Sequence, residues 1–112
     1  MNQIFGFKKE MKQPILDEIK NFTTREETPY RLKCGVGDLM YLYTGIRTKD
    51  AEKFGEAVVI KRWRWSIQFP KQCPVGLSWE DFSIAEGFKD FEGLKQFFLK
   101  KLITYQFELK EE

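Results

Sequence analysis

The chain has 112 residues, 42% of them hydrophobic, which predicts one folded domain, residues 1–112, with a hydrophobic core. Its 19 basic and 17 acidic residues give a net charge of +2, less than proteins that coat long nucleic acid usually carry. The absence of histidine excludes histidine-based triads and proton shuttles and nearly all zinc sites, so neither a metal nor a cofactor is expected.

The apolar segments of the chain indicate where the protein resides. No apolar run approaches the roughly 20 residues of a membrane span. The first residues lack the apolar segment of a secretory signal. A cytoplasmic location with no membrane contact is therefore expected. Cys34 and Cys73 stand far apart, so they are expected to be ordinary reduced thiols.

The first half of the chain alternates between strand and helix signals. The predicted order is strand, helix, strand, loop and strand, over residues 3–8, 12–22, 22–26, 26–38 and 38–45. Pro14 suits a first helical position, and Lys20 then falls in the last turn of the helix. Ile15 and Ile19 are four residues apart, so they are expected to share the buried face of that helix.

The second half predicts a long strand, two helices and a closing strand. After a polar loop at 46–53, the long strand occupies residues 54–69 and is followed by a proline break at 70–76. A short helix is expected at the start of segment 77–88, the second helix at 90–102 and the closing strand at 103–109. Ser78 and Asp90 are the expected N-caps of the two helices. Phe91, Leu94 and Phe98 begin a helical stripe that Leu102 completes. Many strands with few crossovers favour an α+β fold built on a small, mostly antiparallel barrel.

The segment IKNFTTRE, residues 19–26, is a candidate site. In an extended segment Thr23 and Arg25 share one face, and Phe22 and Thr24 share the other. A chain turn after the helix would bring Lys20 beside Thr23. A desolvated lysine can act as the base for a threonine nucleophile, and Arg25 would lower the lysine pKa. The alternative, which spacing alone favours, is a helix-end lysine beside an ordinary strand threonine.

Three other features carry candidate ligand contacts, each with a simpler alternative. Trp63 and Trp65 share one strand face, which suits stacking on bases, although burial in the core is the favoured use of such a pair. Arg47 and Lys49 lie in a basic loop that can hold phosphate or serve as solvated surface. Glu86, beside a glycine, is the acidic candidate for proton transfer.

Four segments in this order resemble the ASCH domain, a PUA-like family: EIKNFTTR, VGDLMYLYTGIRTK, AEGF and FEGLKQFFLKKL. The resemblance implies a PUA-like, mixed or antiparallel β-barrel with two or three flanking short helices. It also implies a cleft that faces RNA, a nucleoside or a nucleotide. The chain departs from the family pattern at Glu18, where glycine is common, at Asn21, where threonine is common, and at Thr24, where an aliphatic residue is common.

The resemblance also implies roles for individual residues. Some ASCH proteins hydrolyse the amide of N4-acylated cytidine with a lysine, a threonine and a glutamate. Matching the motif makes Thr23 the nucleophile, Lys20 its base and Glu86 a group that transfers or orients a proton. Arg25 falls on the motif arginine and is expected to bind an anionic or carbonyl group of the ligand.

Three functions therefore stand open for a cleft with Lys20, Thr23, Arg25 and Glu86. The first is binding of RNA or a modified nucleoside or nucleotide, with Arg47 and Lys49 at its phosphates and an aromatic side chain stacked on a base. The second is hydrolysis of N4-acylated cytidine. The third is a ribonuclease or protein-interaction role on the same scaffold.

Overall fold

A computed structural model describes residues 1–66, 76–97 and 101–110 of the chain. The predictions for the proline break, for the end of the long strand, for Cys73 and for Phe98 lie outside these residues. The strands are Gln3–Phe7 (β1), Phe22–Glu26 (β2), Leu39–Thr44 (β3), Glu52–Ser66 (β4) and Lys101–Leu109 (β5). The helices are Lys9–Leu16 (α1), Pro29–Leu32 (α2), Trp79–Ala85 (α3) and Phe91–Phe97 (α4). None of these helices has the length and hydrophobicity to cross a membrane.

The five strands form one mixed sheet in the order β1-β3-β4-β5-β2. The β1–β3 pair is parallel, and the other three pairs are antiparallel. The register shifts between β3 and β4 and again between β4 and β5, and such irregularities bend a sheet. The sheet curls into a half-barrel, which confirms the predicted α+β class. The described residues contain four short helices instead of the two or three expected.

Two hydrophobic clusters pack against the sheet. The larger, the main core, joins β1, β3, β4, β5 and α1 through ten buried residues: Phe5, Ile15, Cys34, Met40, Leu42, Ala57, Val59, Ile103, Tyr105 and Phe107. The smaller, the aromatic cluster, joins β2, β4 and β5 to α3 and α4 through Phe22, Trp65, Trp79, Phe82, Phe91, Leu94 and Leu102. The aromatic cluster holds α3 against β2, which matters for the site.

The first helix differs from its prediction at both ends. It begins at Lys9 and ends at Leu16, so Pro14 lies inside it and Lys20 lies beyond it. The proline ring removes one helical N–H, and the helix ends two residues later, as a proline within a helix favours. The carbonyl of Pro14 then accepts the N–H groups of Ile19 and Lys20, at 2.9 and 3.0 Å.

The predicted burial of Ile19 is wrong for the same reason. Ile15 is fully buried, whereas Ile19 is 79% exposed. Glu18 adopts a left-handed backbone conformation, with φ of 60°, and this reverses the chain between the two residues. Ile19 therefore no longer follows the helical period that would have placed it above Ile15.

The structure corrects the predictions for α2 and for the start of β5, and it confirms the predicted caps of α3 and α4. The predicted loop at 26–38 contains α2, which starts with Thr28 as N-cap and Pro29 in its first turn. Leu102 belongs to β5 and not to the last helix. Both predicted caps of the later helices are confirmed. Ser78 Oγ accepts the Asp81 N–H at 3.1 Å, and Asp90 Oδ1 accepts the Gly93 N–H at 2.8 Å.

Candidate functional site

A cleft of about 360 Å³ opens where the β1–α1 junction, β2 and the end of α3 meet. Four of its lining residues are the ones that the sequence predicts for a site, namely Lys20, Thr23, Arg25 and Glu86. The others are Gly6, Phe7, Lys8, Met11, Thr24, Glu26, Gly87 and Phe88. The structure thus brings the four predicted residues together, while what they do there stays a prediction.

Lys20 lies at the inner end of the cleft because the turn at Glu18 directs it back towards the sheet. It is only 8% exposed. Its Nζ donates to the Ala85 carbonyl at 3.0 Å and to Glu86 Oε1 at 3.3 Å. The ammonium group also lies 4.8 Å from the centre of the Phe22 ring, a cation–π contact. The lysine is therefore held by α3 and β2 together.

Glu86 follows the last residue of α3, and its side chain is 7% exposed. Its backbone N–H donates to the Phe82 carbonyl at 3.0 Å, which ties it to the helix. Its Oε2 accepts the Thr24 N–H at 3.2 Å. Because β2 is an edge strand of the described sheet, this bond also satisfies a backbone group that the sheet leaves open.

Burial shifts both members of the Lys20–Glu86 pair towards their neutral forms. Burial lowers the pKa of Lys20; the charge and hydrogen bond of Glu86 partly offset this, and the charge of Arg25 adds to it. Burial raises the pKa of Glu86, and the charge of Lys20 and the Thr24 hydrogen bond partly offset it. Burial therefore brings the two pKa values closer together than those of a solvated lysine and glutamate.

Arg25 fixes the Thr23 hydroxyl and connects two strands. Its Nε donates to Thr23 Oγ1 at 3.2 Å, and its Nη2 donates to the Gly6 carbonyl at 2.8 Å. The guanidinium packs 5.0 Å from the ring centre of Phe7. Burial, followed by the charge of Arg31, lowers the pKa of Arg25 to about 10. Arg25 stays protonated at neutral pH and can stabilise negative charge beside Thr23.

The expected alternation in β2 is confirmed. Thr23 and Arg25 share the cleft face through their hydrogen bond. On the other face Phe22 packs in the aromatic cluster, and Thr24 Oγ1 lies 2.9 Å from Thr104 Oγ1. Among the described residues, Lys20 Nζ bonds to Ala85 and Glu86 and Thr23 Oγ1 bonds to Arg25. Lys20 must therefore turn from α3 towards Thr23 to act as its base.

The remaining predicted contacts lie away from the cleft. Trp65 is half-buried in the aromatic cluster, where its Nε1 donates to Thr104 Oγ1 at 2.8 Å. Trp63 is also half-buried, and neither tryptophan lines the cleft. Arg47 lines an adjoining groove, and Lys49 is exposed on the loop beside it. The predicted cleft therefore lacks the Arg47–Lys49 loop, and base stacking by the tryptophans stays a prediction.

The sequence reasoning missed the contribution of the first strand and helix. Gly6, Phe7, Lys8 and Met11 all line the cleft. The parallel pairing of β1 with β3, separated along the chain by β2, is what places them there. No motif marks these residues, although the strand–helix junction itself was predicted. Within the described part of the chain, no cluster of three acidic or cysteine side chains is arranged to hold a metal.

The fold has counterparts among solved structures. No protein-family model and no curated protein matches the chain. The hypothetical protein PH0355 superposes with a TM-score of 0.62 at 13% identity, over 98% of this chain and all of that one. ASCH from Zymomonas mobilis gives a TM-score of 0.60 at 12% identity, over 97% of this chain and 67% of that one. The chain therefore has an ASCH-like fold, as the resemblance of its sequence motifs implies.

Proposed function

We propose that the cleft binds a nucleoside or nucleotide. The observation that carries the proposal is the buried Lys20–Glu86 pair, which faces the same cleft as the Thr23 hydroxyl and the Arg25 guanidinium. A volume of about 360 Å³ falls in the range of small-molecule pockets, roughly 300–1,000 Å³. The ASCH-like fold and the sequence resemblance support the same class of ligand.

The polar groups of the cleft match the edge of a pyrimidine. A carboxylate such as Glu86 accepts a hydrogen bond from the exocyclic amine of cytosine. Lys20 has three N–H donors, and two of them have acceptors in the described structure, so the third can serve a base carbonyl. Phe7 and Phe88 supply apolar surface on the wall of the cleft.

Calorimetric titration with cytidine and N4-acetylcytidine tests the binding proposal. We expect Lys20→Met and Glu86→Gln to weaken binding by about tenfold or more, because each removes a charged hydrogen-bonding group worth roughly 1.5–3 kcal/mol. Lys61→Ala removes an exposed charge on β4, outside the cleft, and serves as the matched control. Equal affinity of all three variants and the native protein would show that the ligand does not bind in this cleft.

A second candidate function is hydrolysis of N4-acylated cytidine. The specific observation in its favour is that burial moves the pKa of Lys20 down and that of Glu86 up, beside a hydroxyl group. Titratable groups whose pKa values are shifted by burial beside a charged partner are typical of functional sites. Neutral Lys20 takes the hydroxyl proton as Thr23 Oγ1 bonds to the acyl carbon, and Arg25 stabilises the oxyanion that forms.

The rest of the reaction balances with one water. Protonated Lys20 returns its proton to N4 as the C–N bond breaks, which releases cytidine and leaves the acyl group on Thr23. Water then attacks the acyl carbon and gives a proton to Lys20. That proton passes to Thr23 Oγ1 as the ester bond breaks and the carboxylic acid leaves. Before Lys20 turns towards Thr23, Glu86 orients it by its hydrogen bond.

Chromatography of N4-acetylcytidine incubated with the protein tests this second function. We expect cytidine to form, and Lys20→Ala and Thr23→Ala to abolish its formation. Thr23→Ser keeps a hydroxyl and is the conservative control that retains part of the rate. The rate is expected to rise with pH through the lowered pKa of Lys20, since the neutral amine is the base. No product at high protein concentration would exclude hydrolysis of this substrate without touching the binding proposal.

A further inference from the structure

A second cavity, of about 440 Å³, adjoins the cleft and is called here the basic groove. It is lined by Ile4, Gly6, Phe7, Lys8, Arg25, Arg31, Ile46 and Arg47. Four of these residues, Gly6, Phe7, Lys8 and Arg25, also line the cleft. Among the described residues, the lining of the groove thus has four cationic side chains and no acidic one, and it shares part of its wall with the cleft.

Ion pairs among the described residues do not neutralise the four cations of the basic groove. None of Lys8, Arg25, Arg31 and Arg47 forms an ion pair with a residue that the structure describes. Lys8 and Arg47 are exposed at the rim, whereas Arg25 and Arg31 are half-buried. A charge removed from water without an opposite charge is costly, so the inner part of the groove favours an anion.

The two inner guanidinium groups both contact the ring of Phe5. Arg31 and Arg25 lie 4.1 and 5.3 Å from the centre of the Phe5 ring. Arg31 Nη1 donates to Gln3 Oε1 and to the Ile4 carbonyl, both at 3.2 Å, and these acceptors are neutral. The contacts hold Arg31 in place without neutralising it.

Electrostatic repulsion between Arg25 and Arg31 adds to the cost of burying their charges. The charge of Arg31 lowers the pKa of Arg25, second only to burial, and the charge of Glu86 offsets only part of this. Burial also lowers the pKa of Arg31, and Tyr105, Tyr30 and Cys34 offset only part of that effect. Two fixed guanidinium groups that repel each other are stabilised by any anion placed between them. Guanidinium groups match the oxygens of phosphate in geometry as well as in charge.

We infer that the basic groove is a phosphate site, and that it holds the phosphate of a nucleotide whose base occupies the cleft. The second part of the inference rests on the proposed function. The same chemistry applies to a free mononucleotide and to the backbone of an RNA strand. Arg25 and Arg31 contact the phosphate from within, and Lys8 and Arg47 contact it from the rim.

The backbone between the two cavities is shaped for a ligand that passes from one to the other. Gly6 lines both, and its carbonyl holds Arg25 by the 2.8 Å hydrogen bond. A Cβ atom at this position would lie 3.0 Å from Ile46 Cγ2, which itself lines the groove. The absence of a side chain at Gly6 keeps Ile46 in place and leaves the junction of the cavities free.

Titrations followed by nuclear magnetic resonance test the inference with cytidine, cytidine 5′-monophosphate, a short oligocytidine and inorganic phosphate. We expect the monophosphate to bind at least tenfold more tightly than cytidine, and the difference to shrink as salt rises. Arg47→Ala and Lys8→Ala change exposed residues and should preserve the fold. Each is expected to weaken binding of the monophosphate several-fold. Arg47 does not line the cleft, so Arg47→Ala should leave cytidine binding unchanged, and Lys61→Ala should weaken neither ligand.

The outcomes separate this inference from the proposed function. Equal affinity for cytidine and its monophosphate would overturn the phosphate site even if both bind. If neither cytidine nor its monophosphate binds, the proposed function fails. The titration with inorganic phosphate then tests by itself whether the basic groove binds phosphate. In that case, added inorganic phosphate should shift the side-chain resonances of Arg25 and Arg31, and Arg47→Ala should make these shifts smaller. If phosphate does not shift these resonances, the phosphate site is overturned. If the oligocytidine binds more tightly than the monophosphate, the ligand is an RNA strand. If the two bind equally, the ligand is a mononucleotide. Both results support a phosphate site in the basic groove.

Discussion

Glu18 is the residue at which the chain reverses between α1 and the candidate site. Its φ of 60° lies in the left-handed region, where a side chain with a Cβ is disfavoured by roughly 1–2 kcal/mol. The ASCH pattern commonly has glycine at this position, and the backbone conformation gives a physical reason for that glycine. The departure noted in the sequence is therefore a strained turn that places Lys20 at the cleft.

Replacing this residue tests the strain. We expect Glu18→Gly to raise the free energy of unfolding by about 0.5–1 kcal/mol, because relief of the Cβ clash exceeds the added entropy of the unfolded chain. Urea denaturation measures the change. Glu18→Ala removes the same carboxylate but keeps the Cβ, so it should give little or no gain. An equal gain from both variants would assign the effect to charge instead of backbone strain.

At the level of elements, α3 determines where Glu86 lies. Phe82, one helical turn before Glu86, stacks on Phe22 of β2 with ring centres 5.4 Å apart and planes 10° apart. Lys20 lies over that same Phe22 ring. One aromatic pair thus aligns both members of the ion pair, and the packing of α3 and the geometry of the site depend on each other.

A substitution in this contact should affect function beyond its effect on stability. Phe82→Leu and Val59→Ala each remove buried apolar volume, the first in the aromatic cluster and the second in the main core. Both are expected to lower the free energy of unfolding by about 1–2 kcal/mol. Only Phe82→Leu should also weaken binding of cytidine, by about tenfold, at a temperature where both variants are folded. Equal affinities would show that α3 packing and the site are independent.

The strands were predictable because their alternation is local. The boundaries of α1 could not be predicted, because they depend on the hydrogen bonds that the Pro14 carbonyl accepts and on the left-handed backbone of Glu18. The short helix α2 was missed because its proline, cap and nearby glycines are equally typical of a loop. The site was found through the resemblance of segments that lie far apart, since Lys20 and Glu86 are separated by 66 positions. Composition and spacing alone carry no signal for such a contact.

The positions of Arg31 and Lys8 beside the cleft could not be predicted without the arrangement of the whole sheet. Arg31 was part of a predicted loop, and Lys8 ended a predicted strand. Neither had a feature that distinguished it among 19 basic residues. The parallel β1–β3 pair and the docking of α2 place both beside Arg25. Their proximity is a property of the topology and could not be read from any one segment.

At the scale of the whole molecule, the Lys20–Glu86 pair links stability to pH. Burial disfavours both charges, and each partner only partly offsets the penalty of the other. The folded pKa of Glu86 is raised, so its contribution to stability falls as pH rises from the ordinary glutamate value, about 4.3, through the raised value. The folded pKa of Lys20 is lowered, so its contribution increases as pH rises from that value towards about 10.4.

A double variant isolates this effect from every other titrating group. Lys20→Met/Glu86→Gln replaces both charges with neutral side chains of similar size. We expect the free energy of unfolding of the native protein, minus that of the double variant, to be lowest near neutral pH and to rise towards both acid and alkaline pH. Urea denaturation across that range measures it. A difference that does not change with pH would mean that the two pKa values are unshifted by folding.

The sign of that difference bears on why the pair is present. Breaking the pair with Lys20→Met alone leaves a buried carboxylate unpaired and should cost about 3–5 kcal/mol, whereas replacing both charges should cost much less or stabilise the protein. A pair that contributes least at neutral pH does not serve the fold. Its orientation towards the cleft, beside the Thr23 hydroxyl and the Arg25 guanidinium, would then agree with the proposed binding function. If the double variant is more stable but no longer binds cytidine, the native pair lowers the stability of the protein and is needed for ligand binding.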